Sequence, residues 1–341
     1  MFLKTISLFN FRNFTNFQVE FDKNITLIVG KNSRGKTNIL ESIYFLINGD
    51  GFREEKEEEL IKIGEKYLEV KGQFLVNDDF LTFSIILKFN ENKKIIKKFF
   101  IDKSEKNYFS YKKEQIKTVL FSPDQLNIII DSPQIRRDYF NKLISLFDFQ
   151  YKKNLNNYEQ ALKKRNKILE QKANDSQIKD ELRFWDEYLV KQGSYIIEKR
   201  QQYIDFLNEN QEIDSKFFSI KYLKNEINFE RLKNCFETDL KYKKTTIGPQ
   251  KDDFEILIDE KSVHKFGSRS EQRLAIFWLK INEIKYIESI FKIKPIILFD
   301  DIFSELDEEN QKIIFPLIKN YQIIATSIKP LEDHQAQVIY L

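Results

Sequence analysis

Residues 30–38 read GKNSRGKTN, and the rest of the chain is organised around them. Gly30, Gly35, Lys36 and Thr37 fit the phosphate-binding template G-x-x-x-x-G-K-[ST]. The flanks agree with it. ITLIVG (25–30) is a short apolar run ending at a glycine, as expected of a strand buried on both faces. KTNILESIYFLI (36–47) places Ile39, Ile43 and Leu46 at helical spacing. Backbone N–H groups of Lys31, Asn32, Ser33, Arg34, Gly35, Lys36 and Thr37 can then wrap a phosphate. The helix that carries Asn38 in its first turn adds a partial positive charge. Lys36 is placed to bridge β- and γ-phosphates, and the Thr37 hydroxyl to hold Mg²⁺. Ser33 and Arg34 stand where such loops favour small, permissive residues. If the Ser33 position needs positive φ, a non-glycine residue there costs on the order of 1–2 kcal/mol. Arg34 either sets a cation near the phosphates or points to solvent.

A second element supports the first. PIILFDD (295–301) is a buried-strand pattern that ends in two aspartates. Asp300 is placed to hold the Mg²⁺ shell, and Asp301 to orient or deprotonate an attacking water. Taken alone, the same letters describe a strand capped by two solvated acids. FGSRSEQR (266–273), with Ser268, Arg269, Ser270, Glu271 and Gln272, opens a helix and makes another anion-binding end. Taken alone, it is a helix cap with Ser270 as N-cap and Glu271 and Arg273 behind it.

Composition bounds the rest. The 341 residues allow one large domain or two ordinary ones, and 41% apolar content is that of a globular chain. A formal net charge of +3 does not by itself draw the protein to nucleic acid or membrane, so such binding needs local patches. Candidates are Lys93–Lys94, Lys97–Lys98, Arg136–Arg137, Lys163–Lys164–Arg165 and Lys241/Lys243/Lys244, each of which is also readable as a solvated face. The lone cysteine, Cys235, excludes an internal disulfide and a multi-cysteine zinc site. MFLKTISLFNFRNF lacks the basic-then-apolar pattern of a signal peptide. No stretch approaches the roughly 18 apolar residues of a membrane helix. A soluble, cytoplasmic protein is expected.

Between the motifs, residues 67–101 alternate as strands joined by turns such as Asn90-Glu91-Asn92. From about 134 the texture becomes helical, with 134–172 and 178–210 rich in Lys, Glu, Gln and Leu. TTIGPQKDD (245–253) ends this insert, and FEILID resumes a strand. His264 and His334 are read as surface residues.

Taken in order, these pieces resemble the ABC-type ATPase head: phosphate loop, helical insert, signature-like SRSEQ, acidic strand, then SELD (304–307) as the D-loop with Ser304 and Asp307. IIATS puts Ser327 at the switch position, often histidine in that superfamily. FRNF (11–14), FSPDQLNIIIDSPQIRRDYFN (121–141), NYEQALKKRNKIL (157–169), WDEYLVKQGSYIIEKR (185–200), GPQKDD (248–253) and LFDDIFSELD (298–307) narrow the resemblance to the RecF family of bacterial recombination mediators. The resemblance implies an α/β fold: an ABC-type P-loop ATPase head, lobe I, with mixed sheets around a helix (1–125 and 245–341), and an α-helical lobe II insert (126–244). It implies that two subunits bind ATP and Mg²⁺ and that Ser268, Glu271 and Gln272 of each complete the other's site. The ATP-dependent homodimer would clamp single-stranded or gapped duplex DNA, work with RecO/RecR-type mediators in repair, replication restart and the SOS response, and open on hydrolysis. Arg12 and Asn13 would lie beside the nucleotide, and Gln125 would sense γ-phosphate and metal. Ser33 and Ser270 depart from the glycines usual in the family, and Gln250-Lys251 from its His-Arg. These serines leave open a slow, DNA-stimulated ATPase or a nucleotide-gated scaffold with little hydrolysis. A transport ATPase and an SMC-type ATPase fit less well: the first lacks the 121–141 segment, and the second needs hundreds of residues of coiled coil.

Overall fold

The computed structural model describes residues 2–341 apart from 54–55, 77–78, 93, 114–115, 172–174, 214, 302–307 and 330–335. The chain forms two compact units, Met1–Gln125 with Lys280–Leu341, and Leu126–Leu279. The first unit begins with strands β1 (Phe2–Phe11), β2 (Phe14–Glu20) and β3 (Ile25–Val29), then helix α1 (Lys36–Asn48). Strands β4 (Tyr67–Val76), β5 (Asp79–Phe89), β6 (Ile95–Ile101) and β7 (Ser104–Lys106) follow, with helix α2 (Tyr108–Lys113) and strand β8 (Thr118–Phe121). The second unit holds α3 (Asn127–Ile130), α4 (Pro133–Phe147), α5 (Phe149–Leu169), α6 (Asp175–Glu209), β9 (Glu212–Ile213) and β10 (Lys216–Leu223). It continues through α7 (Phe229–Asn234), α8 (Phe236–Tyr242), β11 (Asp253–Ile258), β12 (Lys261–Ser262) and α9 (Val263–Phe266) into α10 (Arg269–Phe291). β13 (Ile296–Phe299), α11 (Glu308–Ile318), β14 (Ile323–Ser327) and β15 (Gln337–Tyr340) complete the first unit.

Two sheets sandwich α1 in the first unit. One is antiparallel, in the order β2-β1-β4-β5-β6-β7, as the alternating runs predict. The other is parallel, in the order β15-β3-β14-β13-β8, and its short continuous apolar strands suit burial on both faces. All of α1's 13 residues except Thr37 and Asn38 are buried. Ile39, Ile43 and Leu46 share one core with Ile6, Val70 and Ile85 of the antiparallel sheet and with Ile28, Leu298 and Ile324 of the parallel one. Gly72 of β4 suits this packing, because a Cβ there would lie 2.5 Å from Leu46 Cδ2 and force that side chain to shift. Registry sets the site. Val29 lies opposite Ser327, and Ala325 opposite Phe299, so three strands present their carboxyl ends side by side.

In the second unit, α5 and α6 (35 residues) pack along each other, while β12-β11-β10-β9 form an antiparallel sheet. The sequence reading missed β10. Its buried residues Phe218 and Ile220 alternate with exposed ones over too short a run to stand out from the helical texture around it. Because β11 pairs with β10, residues 245–279 are compact with the helical insert, and the chain rejoins the first unit inside α10 rather than at 245.

Two buried arginines hold this unit together. Arg165 Nε pairs with Asp186 and its Nη1 with Asp239, both at 2.7 Å. Arg200 Nη1 pairs with Asp252 at 2.6 Å, and Tyr222 donates to the same carboxylate. Arg136 pairs with Asp253 through Nε at 2.7 Å and Nη2 at 3.1 Å, and Arg137 donates to the Asp252 carbonyl at 2.7 Å. Two separated stretches of sequence, SPQIRRDYFN and GPQKDD, are therefore two halves of one electrostatic joint.

Candidate nucleotide site

The phosphate-binding template lies between β3 and α1, with Lys31, Asn32, Ser33 and Arg34 exposed. Ser33 has φ 65°, so the condition for strain is met. Gly35 has φ 99°, and a Cβ there would come within 2.8 Å of Asn13 Nδ2 and Phe14 Cζ. Only glycine fits that position. Lys36 is buried and donates to the carbonyls of Gly30 at 2.7 Å and Lys31 at 3.1 Å, which turns its ammonium back over the loop. Asn13 closes the outer side: its Nδ2 lies 3.5 Å from the Arg34 carbonyl, and its Oδ1 accepts from Asn38 Nδ2 at 2.7 Å.

Asp300 faces the loop from the end of β13. Thr37 Oγ1 donates to Asp300 Oδ1 at 2.7 Å, and Thr326 Oγ1 approaches the same oxygen at 3.0 Å. Burial raises the Asp300 pKa above the ordinary aspartate value, and the two hydroxyls and the Arg53 charge only partly offset this. A buried carboxylate one hydrogen bond from a loop threonine presents hard oxygen donors, which suit Mg²⁺. Among the described residues no group of three or more acidic, His or Cys side chains could hold a metal. Thr37 and Asp300 would therefore hold Mg²⁺ together with oxygens from a bound phosphate. Asp301 takes φ 53°, and its N–H donates to Thr326 Oγ1 at 2.8 Å. Thr326 thus spans both aspartates, a role the sequence reading did not give it. Ser327 donates from Oγ to the Lys329 carbonyl at 2.7 Å, and its own carbonyl accepts from Gly30 N–H at 3.3 Å.

The sequence reading also missed Glu41. This residue of α1 is fully buried and takes Arg12 in a bidentate pair, Nε at 2.8 Å and Nη2 at 2.9 Å. Arg53 Nη2 binds the same carboxylate at 2.7 Å and Asn38 Oδ1 at 2.6 Å. Burial alone would raise the Glu41 pKa, but the hydrogen bonds and charges of Arg12 and Arg53 bring it below the ordinary glutamate value. Arg12, at φ 52°, spends its remaining nitrogen on the Glu59 carbonyl at 2.9 Å. The chain of contacts Arg34–Asn13–Asn38–Arg53–Glu41–Arg12 thus wraps the outer side of the loop.

Gln125 folds onto its own turn, its Nε2 donating to the Leu120 carbonyl at 2.8 Å and its Oε1 accepting from Ser122 N–H at 3.3 Å. The signature-like segment lies in the second unit. Ser268, not Ser270, caps α10: its Oγ accepts from Glu271 N–H at 3.2 Å, while Glu271 Oε2 accepts from Ser268 N–H at 2.8 Å. This reciprocal box lowers the Glu271 pKa, chiefly through the Ser268 N–H. Ser268, Arg269 and Ser270 are exposed, and Gln272 is buried with its Nε2 3.2 Å from the Gly267 carbonyl. Ser270 is not among the positive-φ residues, so its departure from glycine carries no backbone strain. Ser304, Asp307 and His334 lie outside the described residues.

Comparison with known proteins matches residues 1–338 to the AAA ATPase domain family. The DNA replication and repair protein RecF of Lachnospira eligens is 34% identical, over 96% of this chain and 92% of its own. The RecF of Clostridioides difficile is 33% identical, over 96% and 91%. The solved recombination mediator protein RecF-ATP of the RecFOR pathway superposes with a TM-score of 0.83 at 31% identity, covering 97% of this chain and 93% of its own. An Smc head bound to the C-terminal winged-helix domain of ScpA matches at a TM-score of 0.53 and 18% identity, covering 96% and 90%, a likeness of fold alone. Among the described residues no helix is long and apolar enough to cross a membrane.

Proposed function

The chain belongs to the RecF family of DNA replication and repair proteins, and we propose that it is an ATP-gated DNA-binding member of that family. ATP sits on the loop 30–38, and its Mg²⁺ on Thr37 and Asp300. The observation that carries this reading is the convergence of Thr37 and Thr326 on buried Asp300, across three neighbouring strand ends, directly beside the phosphate loop. Lys36 reaches the β- and γ-phosphates by leaving the Gly30 and Lys31 carbonyls. Asp301, held by Thr326 through its backbone, orients the attacking water. When bound there, Mg²⁺ would neutralise charge on the phosphate oxygens.

Two such subunits close head to head, and Ser268, Glu271 and Gln272 of each complete the other's site. ATP stabilises only the closed pair, so it shifts the dimer equilibrium, and the closed pair clamps single-stranded or gapped duplex DNA. RecO/RecR-type mediators are the expected partners in loading recombinase. Hydrolysis opens the clamp.

Light scattering with and without ATP, repeated with DNA, tests this. The wild type doubles in mass with ATP-Mg²⁺. Asp301→Asn binds ATP and stays dimeric, Ser268→Arg binds ATP as a monomer, and Lys36→Ala binds none. A Ser268→Arg protein that dimerises as the wild type does would overturn the shared site. An Asp301→Asn protein that turns over ATP at the wild-type rate would remove Asp301 from the chemistry. A wild type that binds ATP without hydrolysing it, even with duplex DNA, would make the protein a nucleotide-gated scaffold instead.

A further inference from the structure

The basic patches of this chain are not equivalent. Arg136 is paired with Asp253, Arg137 with the Asp252 carbonyl, Lys97 with Asp50 and Glu57, and Lys98 with Glu105. Arg165 is fully buried and spent on Asp186 and Asp239. One corner of the second unit keeps its lysines exposed: Lys163, Lys164 and Lys167 near the end of α5, and Lys241, Lys243 and Lys244 around the end of α8. None of the six has an ion-pair partner among the described residues.

The fold makes these two groups one surface. Arg165 Nη1 reaches Asp239 at 2.7 Å and Thr245 Oγ1 at 2.9 Å, and Asn166 Oδ1 accepts from Thr245 N–H and Oγ1, each at 2.8 Å. Beneath them Ile168 and Leu169 share a small core with Phe236, against which Leu240 packs. Lys179 of α6 lies over the Phe236 ring at 4.5 Å and adds a further cation. The effect on charge is one-sided. The acids that could neutralise the corner, Asp186 and Asp239, are turned toward Arg165, and the lysines are left in water. Glu159, Glu170 and Glu237 are the exposed acids of the same stretches, fewer than the lysines. The neighbouring stretch of α6 differs, since the acids Asp180, Glu181 and Glu187 outnumber Arg183 there and Arg183 lies 4.0 Å from Glu187. Positive charge at a helix end complements the backbone dipole, but that needs one side chain for each helix, not three.

We propose that this lysine corner is a contact surface of the second unit for the phosphate backbone of DNA. It rests on the reading of the chain as a DNA-binding protein and names the surface that reading leaves open. From Lys163 to Lys167 the helix advances about 6 Å, while duplex DNA carries one charge per roughly 1.7 Å of its axis, so each lysine finds a phosphate without any base being read. Arg165 serves the surface from inside, as the pin that keeps α5 and α8 in register.

The experiment is fluorescence anisotropy of a labelled gapped duplex with the full chain and ATP-Mg²⁺, from about 50 to 200 mM salt. The protein carrying Lys163→Gln, Lys164→Gln, Lys241→Gln and Lys244→Gln should bind at least about tenfold more weakly at low salt. The slope of log affinity against log salt should shrink by about one for each lysine that meets a phosphate. Arginine at the same four positions should restore both. Lys71→Gln with Lys88→Gln, exposed lysines of the first unit, should change neither. Unfolding midpoints show that each variant is folded. A four-glutamine protein with wild-type affinity and slope overturns the surface while leaving DNA binding intact. Equal loss in the Lys71/Lys88 protein overturns it as well. A wild type that binds no DNA overturns the DNA-binding reading itself.

Discussion

Both units pair arginine with a buried carboxylate, but only the second unit buries the arginine as well. In the second unit the arginine side chains are inside: Arg165 and Arg200 are 1% and 2% exposed, and Asp239 and Asp252 are fully buried with them. In the first unit only the carboxylate is inside. Glu41 is fully buried, while Arg12 and Arg53 keep 20% and 35% of their side chains in contact with solvent. One arrangement consumes its cations and joins distant segments. The other anchors cations beside the phosphate loop and leaves a surplus positive charge there. The same pair chemistry thus serves as a fastener in one unit and as a mount in the other.

The largest expected effect tests the fastener. Arg200→Leu leaves Asp252 buried without its cation, and breaking such a pair costs about 3–5 kcal/mol. Urea unfolding should show that loss, while the folded variant keeps wild-type ATP affinity. A loss below about 1 kcal/mol would mean that Tyr222 and the Asn225 N–H, which also bind Asp252, already hold the joint.

Glu41→Gln tests the mount. Removing a charged hydrogen-bond partner costs about 1.5–3 kcal/mol, less than the Arg200 change, because Arg12 and Arg53 can turn to water. Its larger consequence should be functional: ATP affinity falls about tenfold by calorimetry as the two arginines lose their anchor. The pH dependence gives a second check. Glu41 has its pKa held below the ordinary value of 4.5, so its stabilising contribution is complete above that value and is lost as pH falls through the depressed one. The stability difference between wild type and Glu41→Gln should therefore shrink on acidification below about pH 4.5. Stability loss at neutral pH without any change in ATP affinity would make Glu41 a fastener too, and the contrast between the units would disappear.

Much of this is legible in the sequence alone, and the limits have physical causes. The loop 30–38 is contiguous, with fixed spacing, between a strand and a helix that each announce themselves, and Gly35 and Lys36 fall where that pattern puts them. Asp300 was legible because four buried apolar residues lead to it. Thr326 was not, because it meets Asp300 only through the register of β13 on β14. Glu41 was hidden inside an apolar helix, since nothing local tells a buried, paired glutamate from a solvated one. Arg136 and Arg165 looked like surface charge for the converse reason: their acids lie between 21 and 117 residues away. Long-range pairing is what a single sequence conceals, and both kinds of arginine joint depend on it.

The smallest effect sharpens the first unit's side of the contrast. Ser33 sits at φ 65°, in the left-handed region, at the exposed tip of the loop. Its Cβ there costs about 1–2 kcal/mol, and glycine would remove that strain. Glycine also frees the unfolded chain, which takes back about 0.4–1 kcal/mol. Ser33→Gly should therefore stabilise by between about 0 and 1.6 kcal/mol, seen as a small rise in the unfolding midpoint, with ATP affinity unchanged or slightly improved. The sign matters more than the size. A gain means that the chain tolerates strain at the phosphate cradle that the surrounding contacts hold in place, as the Asn13–Asn38–Arg53–Glu41 chain is positioned to do. A loss means that the serine side chain makes a compensating contact at that tip, and the loop is then not strained at all.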